Sequence, residues 1–223
     1  MKTLIAIPCM DTLPAAFMRS LLQMQIIGEV GYDIVTSSLI YDARNQIIQH
    51  AIQGEYDFIL WLDSDMEIPP ETLWKLKTDL ESGFDMVSGL YFKRKPPYSP
   101  VIYKRCELVK LDGGKLDPTA EEFVDYPQNS LFEIEGCGFG CCMMTRDLAQ
   151  RVTDQLGKLP FMPVGGFGED LSFCMRVRKV GGRIGCDSSV KAGHCGRVIF
   201  DEEWYLNWIE RKQEESAHGD ETA

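Results

Sequence analysis

Residues 58–65 read Phe-Ile-Leu-Trp-Leu-Asp-Ser-Asp, five consecutive apolar side chains that run straight into two carboxylates. An apolar run without polar alternation is the pattern of a strand covered on both faces, as strands of a parallel α/β sheet are. Upstream lie two more strand-like pieces, at 3–8 and 33–37. The first is followed by a helix pattern: Asp11 or Thr12 offers a cap, Pro14 falls near the first turn, Phe17, Met18, Leu21 and Leu22 share a face, and Gly28 marks the expected stop. The second is followed by a helix opening at Asp42, where Ala43, Ile47, Ile48, Ala51 and Ile52 recur at helical spacing until Gly54. Downstream, Pro69-Pro70-Glu71 starts a third helix with Leu73, Leu76 and Leu80 inward and Gly83 as its end, and a strand follows at 86–90. The order β-α-β-α-β-α-β predicts an α/β, Rossmann-like, mostly parallel open sheet with helices on both faces.

After Tyr91 the rhythm changes. Residues 93–100 (KRKPPYSP) form a basic, proline-rich loop, in which Lys93-Arg94-Lys95 can be a solvated surface, an anionic-lipid contact or a diphosphate clamp, the solvated surface being the safest expectation. Strand-like pieces at 101–104 and 131–135 are separated by a polar stretch at 112–128. A strand is expected at 139–145, helices at 146–156 and 170–180, a last strand at 183–186 and a C-terminal helix at 201–215 before a frayed tail. Residues 158–168, rich in Gly and Pro, have the composition of a mobile lid. No repeat and no linker interrupts the chain, so 1–223 is expected to be a single domain with a smaller, irregular, partly antiparallel C-terminal half.

Composition narrows the function. Apolar residues are 44% and charged residues 26% of 223, ordinary globular values that exclude disordered and fibrous classes. With 23 Lys+Arg against 34 Asp+Glu the net charge is −11, which repels phosphate backbones and excludes nucleic acid as a partner. No stretch reaches the roughly 18 apolar residues of a spanning helix. The first apolar run stops at Pro8, too short for a signal peptide, so a reducing, cytoplasmic compartment is expected. Eight cysteines stand without a C-x-x-C pair. A zinc cluster of Cys137, Cys141, Cys174, Cys186, His194 and Cys195 can be drawn, but it lacks two closely spaced ligand pairs, and small buried hydrophobes are the expected role.

Asp63-Ser64-Asp65 carries the chemistry. In an open parallel sheet, ligands gather at the carboxyl ends of the strands. Two carboxylates at i and i+2 can leave such an end on one side and offer oxygens to a hard cation, which in turn can bridge a diphosphate. The same tripeptide can serve as a polar turn before the helix at Pro69. Its place directly after a buried strand favours metal or phosphate work. Later, Glu169 and Asp170 follow a glycine loop at a helix N-terminus, where negative charge is favoured and where they can also act as plain caps. His194 lies between Gly193 and Cys195; His50, on a helix face, and His218, near the end, compete poorly as ligands.

Four features in register give the sequence a resemblance. Ile7-Pro8 closes the first strand; Asp63-Ser64-Asp65 resembles a D-x-D motif; Gly168-Glu169-Asp170, continuing through Arg176 to Gly181-Gly182, resembles an E-D motif; and Gly193-His194 resembles a late metal-site histidine. Together, over about residues 3–196, they resemble the GT-A fold glycosyltransferases, the family 2-like members best. The departures are Cys9-Met10-Asp11 at the first strand end and a short acceptor half.

The resemblance implies a nucleotide-binding half at 1–90, an acceptor-side half at 91–200 and a C-terminal helix and tail at 201–223. It implies a metal-dependent transferase, inverting at the anomeric carbon, that moves a sugar from a nucleotide-diphosphate sugar to a carbohydrate or other hydroxyl acceptor. Mn²⁺ or Mg²⁺ would be held by Asp63, Asp65 and His194. Pro8, Arg44, Asp63, Ser64 and Asp65 would line the donor site, and Asp170 would be the general base, supported by Glu169. Apart from the resemblance, Gly196-Arg197 can offer a mobile segment and a cation for diphosphate, with Arg197 equally open to being a surface charge. Gly136-Cys137-Gly138-Phe139-Gly140 resembles the glycine segment on the acceptor side. Trp61 and Trp74 are expected in the core, while Phe161, Phe167, Tyr91 and Phe92 are the stacking candidates. Two alternatives stay open. A sugar-phosphate nucleotidyltransferase would normally show a glycine-rich basic loop where this chain has Pro8–Thr12. The other is a non-catalytic glycan-binding protein on the same fold.

Overall fold

The computed structural model describes residues 1–110, 113–114, 116–196 and 199–219. In chain order the first half forms β1 (Lys2–Cys9), α1 (Ala15–Gln23), β2 (Glu29–Thr36), α2 (Ile40–Gln53), β3 (Phe58–Leu62), β4 (Met66–Glu67), α3 (Thr72–Glu81) and β5 (Met86–Leu90). The second half adds β6 (Ile102–Lys110), β7 (Leu116–Glu122), β8 (Leu131–Ile134), β9 (Gly136–Cys137), β10 (Cys141–Thr145), α4 (Arg146–Leu156), α5 (Glu169–Lys179), β11 (Ile184–Lys191), β12 (Gly193–Cys195), β13 (Ile199–Phe200) and α6 (Glu202–Gly219).

Seven strands form the central sheet in the order β2-β1-β3-β10-β5-β11-β8. Strands β1, β2, β3, β5 and β11 share one direction, while β10 enters between β3 and β5 antiparallel to both, and β8 closes one edge antiparallel to β11. The FILWL run is buried on both sides because successive side chains feed two cores. Ile59 and Trp61 join Ile47, Ile48, Leu148 and Phe173 on one face, and Leu60 and Leu62 join Phe17, Leu73 and Leu76 on the other. Helices α2, α4 and α5 thus cover one face and α1 and α3 the other, each large apolar side chain contributing about 1.5–3 kcal/mol on burial. Two three-stranded sheets, β13-β12-β4 and β7-β6-β9, build the rim. Among the described residues no helix is long and apolar enough to cross a membrane.

The structure departs from the sequence reading where polar or edge positions hide the period. Helix α1 ends at Gln23, not at Gly28; Met24 is already extended, the Gln25 N–H donates to the Pro70 carbonyl at 2.7 Å, and Gly28 takes φ +73° in the turn before β2. Strand β2 begins at Glu29 because an edge strand open on one side carries no continuous apolar run. Strand β7 lies inside the polar stretch, pairing with β6 through exposed residues. Strand β11 extends to Lys191 across a register shift after Asp187.

That irregular point brings Asp187 to Asp79 of α3. Burial, then the Asp187 carboxylate, push Asp79 up to about 7, Lys75 opposing, and Asp79 Oδ2 is buried with no donor. The fold therefore holds a proton that the unfolded chain, with an ordinary carboxyl of 3.8, releases. Stability falls as pH rises from about 4 to about 7 and then levels. Asp79→Asn is expected to raise the melting temperature at pH 8, on the order of 1 kcal/mol after solvent screening, and to change little at pH 4. Melting curves at both pH values check this; an equal shift at both would refute a proton held on Asp79.

Candidate functional site

The site gathers at the carboxyl ends of β1, β3 and β5. Directly after β3, the Asp63 N–H donates to the Gly140 carbonyl at 3.1 Å, which ties the turn to the strand-entry of β10. Its carboxylate accepts from Arg44 Nη2 at 2.9 Å. Arg44 stands on α2 and is 1% exposed, a position beneath the cleft rather than in it. The same guanidinium lies 3.5 Å from Asp170 Oδ1 and 3.6 Å from Glu169 Oε1, across the N-terminus of α5. Trp61, Phe139 and Phe161 surround it, with ring centroids 5.9, 5.1 and 5.9 Å away.

One cation thus answers three carboxylates. Burial pushes the Asp63 carboxyl up, with Arg44 pulling the other way. Asp170 is driven well above the carboxylate range by burial and then by its acidic neighbours Glu169 and Asp63, again against Arg44. Although 31% of the Asp170 side chain opens to the cleft, its Oδ1 is sealed from solvent and has no hydrogen-bond donor. Arg44 itself stays charged: burial works against it, but the three acids more than offset that.

A second pair completes the site. Antiparallel pairing of β12 with β4 sets His194 opposite Met66, next to Asp65. His194 Nδ1 lies 2.9 Å from the Phe92 carbonyl, which can only accept, so Nδ1 carries the hydrogen. The other ring nitrogen, Nε2, lies 3.4 Å from Asp65 Oδ2: with a hydrogen it faces the carboxylate as a donor, and without one it offers its lone pair to a cation. Arg94 Nη1 caps the same Oδ2 at 2.8 Å and also donates to the Cys195 carbonyl. Burial raises the Asp65 carboxyl, yet His194 and Arg94 together hold it below its ordinary range. A carboxylate and an imidazole nitrogen converging, with the far ring nitrogen fixed by a carbonyl, is a donor set that fits a divalent cation. Asp63 turns toward Arg44 instead, so two of the three expected ligands converge, and no preformed cluster of three or more metal-binding side chains exists among the described residues.

Two cavities meet at this point. One, of about 300 Å³, is lined by Pro8, Cys9, Met10, Ser37, Ser38, Ile40 and the Asp63-Ser64-Asp65 turn. The other, of about 430 Å³, is lined by Asp63, Asp65, Tyr91, Val101, Asp170, His194 and the basic loop Lys93-Arg94-Lys95. Pro8, Ser64, Asp63, Asp65, Asp170 and His194 therefore border one continuous region, with Arg44 and Glu169 supporting it from below. The basic loop is not plain surface: all three cations face the cleft, Lys93 also pairing with Glu122. A KRK triplet in an acidic chain was the signal for it.

Several expected ligand contacts are taken by the protein itself. Phe161 and Phe92 are core, Tyr91 and Phe167 are nearly so, and Trp74, 39% exposed, lies on the surface. Gly138 and Gly140 make room for Tyr91, and Gly136 for Leu171, rather than for a sugar. A Cβ at Gly138 would stand 1.9 Å from the Tyr91 hydroxyl, and the Gly140 N–H donates to that same oxygen at 3.1 Å. Residues 158–168 are pinned, not free: Phe161 stacks on Phe173 at 4.3 Å, its N–H donates to Asn45 Oδ1, and Arg176 holds the Pro160 carbonyl. All eight cysteines are buried thiols, Cys141 pushed up to about 12 by burial. Arg197 lies outside the described residues.

No family model matches the chain, and no curated protein matches its sequence. Solved structures match its fold. The crystal structure of A197 from STIV superposes with a TM-score of 0.64 at 20% identity, over 87% of this chain and 85% of that one. The crystal structure of GalNAc-T7 with UDP, GalNAc and Mn2+ gives 0.60 at 11% identity, over 94% of this chain and 47% of that one. The chain thus spans about half the length of GalNAc-T7. Identities this low speak for the fold alone, and that fold is the GT-A type: a mostly parallel central sheet, flanking helices and added antiparallel sheets.

Proposed function

We propose that the protein is a metal-dependent glycosyltransferase that moves a sugar from a nucleotide-diphosphate donor to an acceptor hydroxyl with inversion. The observation that carries this reading is the meeting of Asp65 and His194 Nε2, 3.4 Å apart, where a cavity at the ends of β1 and β3 joins a basic one. The GT-A fold and a neighbour crystallised with UDP and Mn2+ support it.

In this reading the smaller cavity takes the nucleoside against Pro8, Ser37, Ser38 and Ser64. Asp65 and His194, with Asp63 beside them, would hold Mn²⁺ or Mg²⁺, which when bound would neutralise the diphosphate as it leaves. Lys93, Arg94 and Lys95 add fixed positive charge around the same diphosphate. To reach it, Arg94 must release Asp65 Oδ2, so the guanidinium now occupies a cation's place. Asp170 takes the acceptor proton as the acceptor oxygen bonds to the anomeric carbon and the bond to diphosphate breaks. Glu169 tunes Asp170 from its side.

Asp65→Ala is expected to remove Mn²⁺-dependent binding of UDP or GDP in calorimetric titration, while His50→Ala, on a pair with Asp33 away from the cleft, leaves it intact. Equal affinity of wild type and Asp65→Ala in the presence of Mn²⁺ would sink the assignment.

A further inference from the structure

Beyond the cleft the basic loop has a second face. At its tip Tyr98 meets α6: its ring stacks on Phe200 at 5.6 Å and stands edge-on to Trp204 at 6.1 Å and Trp208 at 5.6 Å. Tyr98, Trp204, Asn207, Trp208 and Arg211 line a cavity of about 330 Å³. Trp204 and Trp208, one helical turn apart, share a face of α6 with Arg211, while Tyr205 and Ile209 turn to the core. Tyr98 sits at φ +55°, a left-handed conformation that a bulky side chain rarely adopts. Such positions persist where the surroundings enforce them, and they cluster at ligand sites.

We propose that this aromatic pocket is a saccharide-binding subsite that holds the acceptor glycan beyond its reacting end. The proposal rests on the glycosyltransferase reading for its purpose, but not for its chemistry. Flat rings with one polar edge suit the C–H faces of pyranose units, and the Asn207 amide and Arg211 guanidinium supply donors and an acceptor for their hydroxyls. Arg211 sets the pocket against a quaternary ammonium, the other common guest of an aromatic box. A lipid surface fits poorly. On α6 the cations Arg211 and Lys212 are matched by Glu203 and Glu210, without the excess of Lys and Arg that interfacial helices carry on their polar face.

The subsite is also continuous with the cleft. The Tyr98 N–H donates to the Lys95 carbonyl at 2.8 Å, closing a turn whose end residues stand within about 7 Å at their Cα atoms. Lys95 lines the catalytic cavity. One turn of the basic loop thus has Lys95 on the cleft and Tyr98 on the aromatic pocket, so the loop sets the two side by side.

The test is a printed array of plant, animal and microbial glycans probed with the full chain, followed by tryptophan-fluorescence titration of the retained oligosaccharide. The expected result is retention of oligosaccharides, with affinity lowered about tenfold in Trp208→Ala and several-fold in Asn207→Ala, whose exposed amide keeps the test readable if the tryptophan variant does not fold. Mn²⁺-dependent UDP or GDP binding should be unchanged in both. Retention of no glycan, equal retention by both variants, or a tryptophan shift with phosphatidylcholine vesicles in place of glycan would each overturn the subsite. Glycan retention without any nucleotide-diphosphate binding would instead overturn the transferase reading and leave the subsite standing.

Discussion

Asp170→Asn is expected to lower sugar transfer by about 10²–10⁴-fold, the usual cost of losing a general base, while nucleotide-diphosphate affinity holds. An inverting attack needs the acceptor proton removed on the face away from the diphosphate. Asp170 borders the larger cavity together with Asp65 and His194, and its carboxyl is held well above the ordinary range by burial, then by Glu169 and Asp63. A base with a raised pKa is the stronger acceptor once ionised. The sign follows: in the free protein the carboxyl holds its proton at low pH, so transfer should climb with pH until Asp170 has ionised. Asparagine removes that limb. Transfer rates measured from pH 5 to 9 with both proteins decide it. A product of retained configuration, or an Asp170→Asn rate near wild type, overturns the base assignment; a loss confined to donor affinity makes Asp170 a binding residue.

Arg44→Ala is the second large effect, and it concerns the fold before the chemistry. The guanidinium is 1% exposed and answers Asp63, Glu169 and Asp170 at once, so its removal leaves three acids without a counter-charge. Breaking one partner out of a buried pair costs about 3–5 kcal/mol. Asp63 and Asp170, already raised by burial, are pushed further up, and protonation at low pH relieves them. The deficit against wild type should therefore be largest near pH 8 and shrink toward pH 5. Lysine should restore little, because a point charge cannot span carboxylates on both α5 and the β3 turn. Urea unfolding at both pH values checks this, and an Arg44→Ala chain as stable as wild type at pH 8 would contradict the role of Arg44 as counter-charge.

Much of the fold was legible because the strands that matter are buried on both faces. Residues 58–62 and 86–90, and helix α4 at 146–156, coincide with their sequence readings. What sequence reasoning missed follows from pairing that leaves no apolar mark, as in β7, or from a glycine with another job, as at Gly28. The order of strands was also hidden: nothing in residues 141–145 says that they run antiparallel between β3 and β5. At the site, the carboxylates and His194 could be named from spacing, but the burial of Arg44 could not. It depends on Trp61, Phe139 and Phe161, which come from three separate stretches and look like ordinary core residues singly. The aromatic loop residues misled for the same reason: Phe161, between Pro160 and Met162 in a Gly- and Pro-rich stretch, reads as open, and only its packing on Phe173 shows it closed.

The position of β10 has a consequence for how the chain is made. The β3 and β5 strands are complete when residue 90 has left the ribosome, yet the strand that fills the space between them ends at Thr145. At about 5–20 residues per second, the nascent first half waits on the order of several seconds with two apolar strand edges unmatched. Its late-arriving partner pairs across some eighty positions of sequence, the kind of distant contact that slows folding. The Asp63 turn cannot take its final shape before then either, since the Gly140 carbonyl that fixes it arrives with the same strand. Birth order thus makes the cleft end of the sheet one of the last parts of the molecule to set.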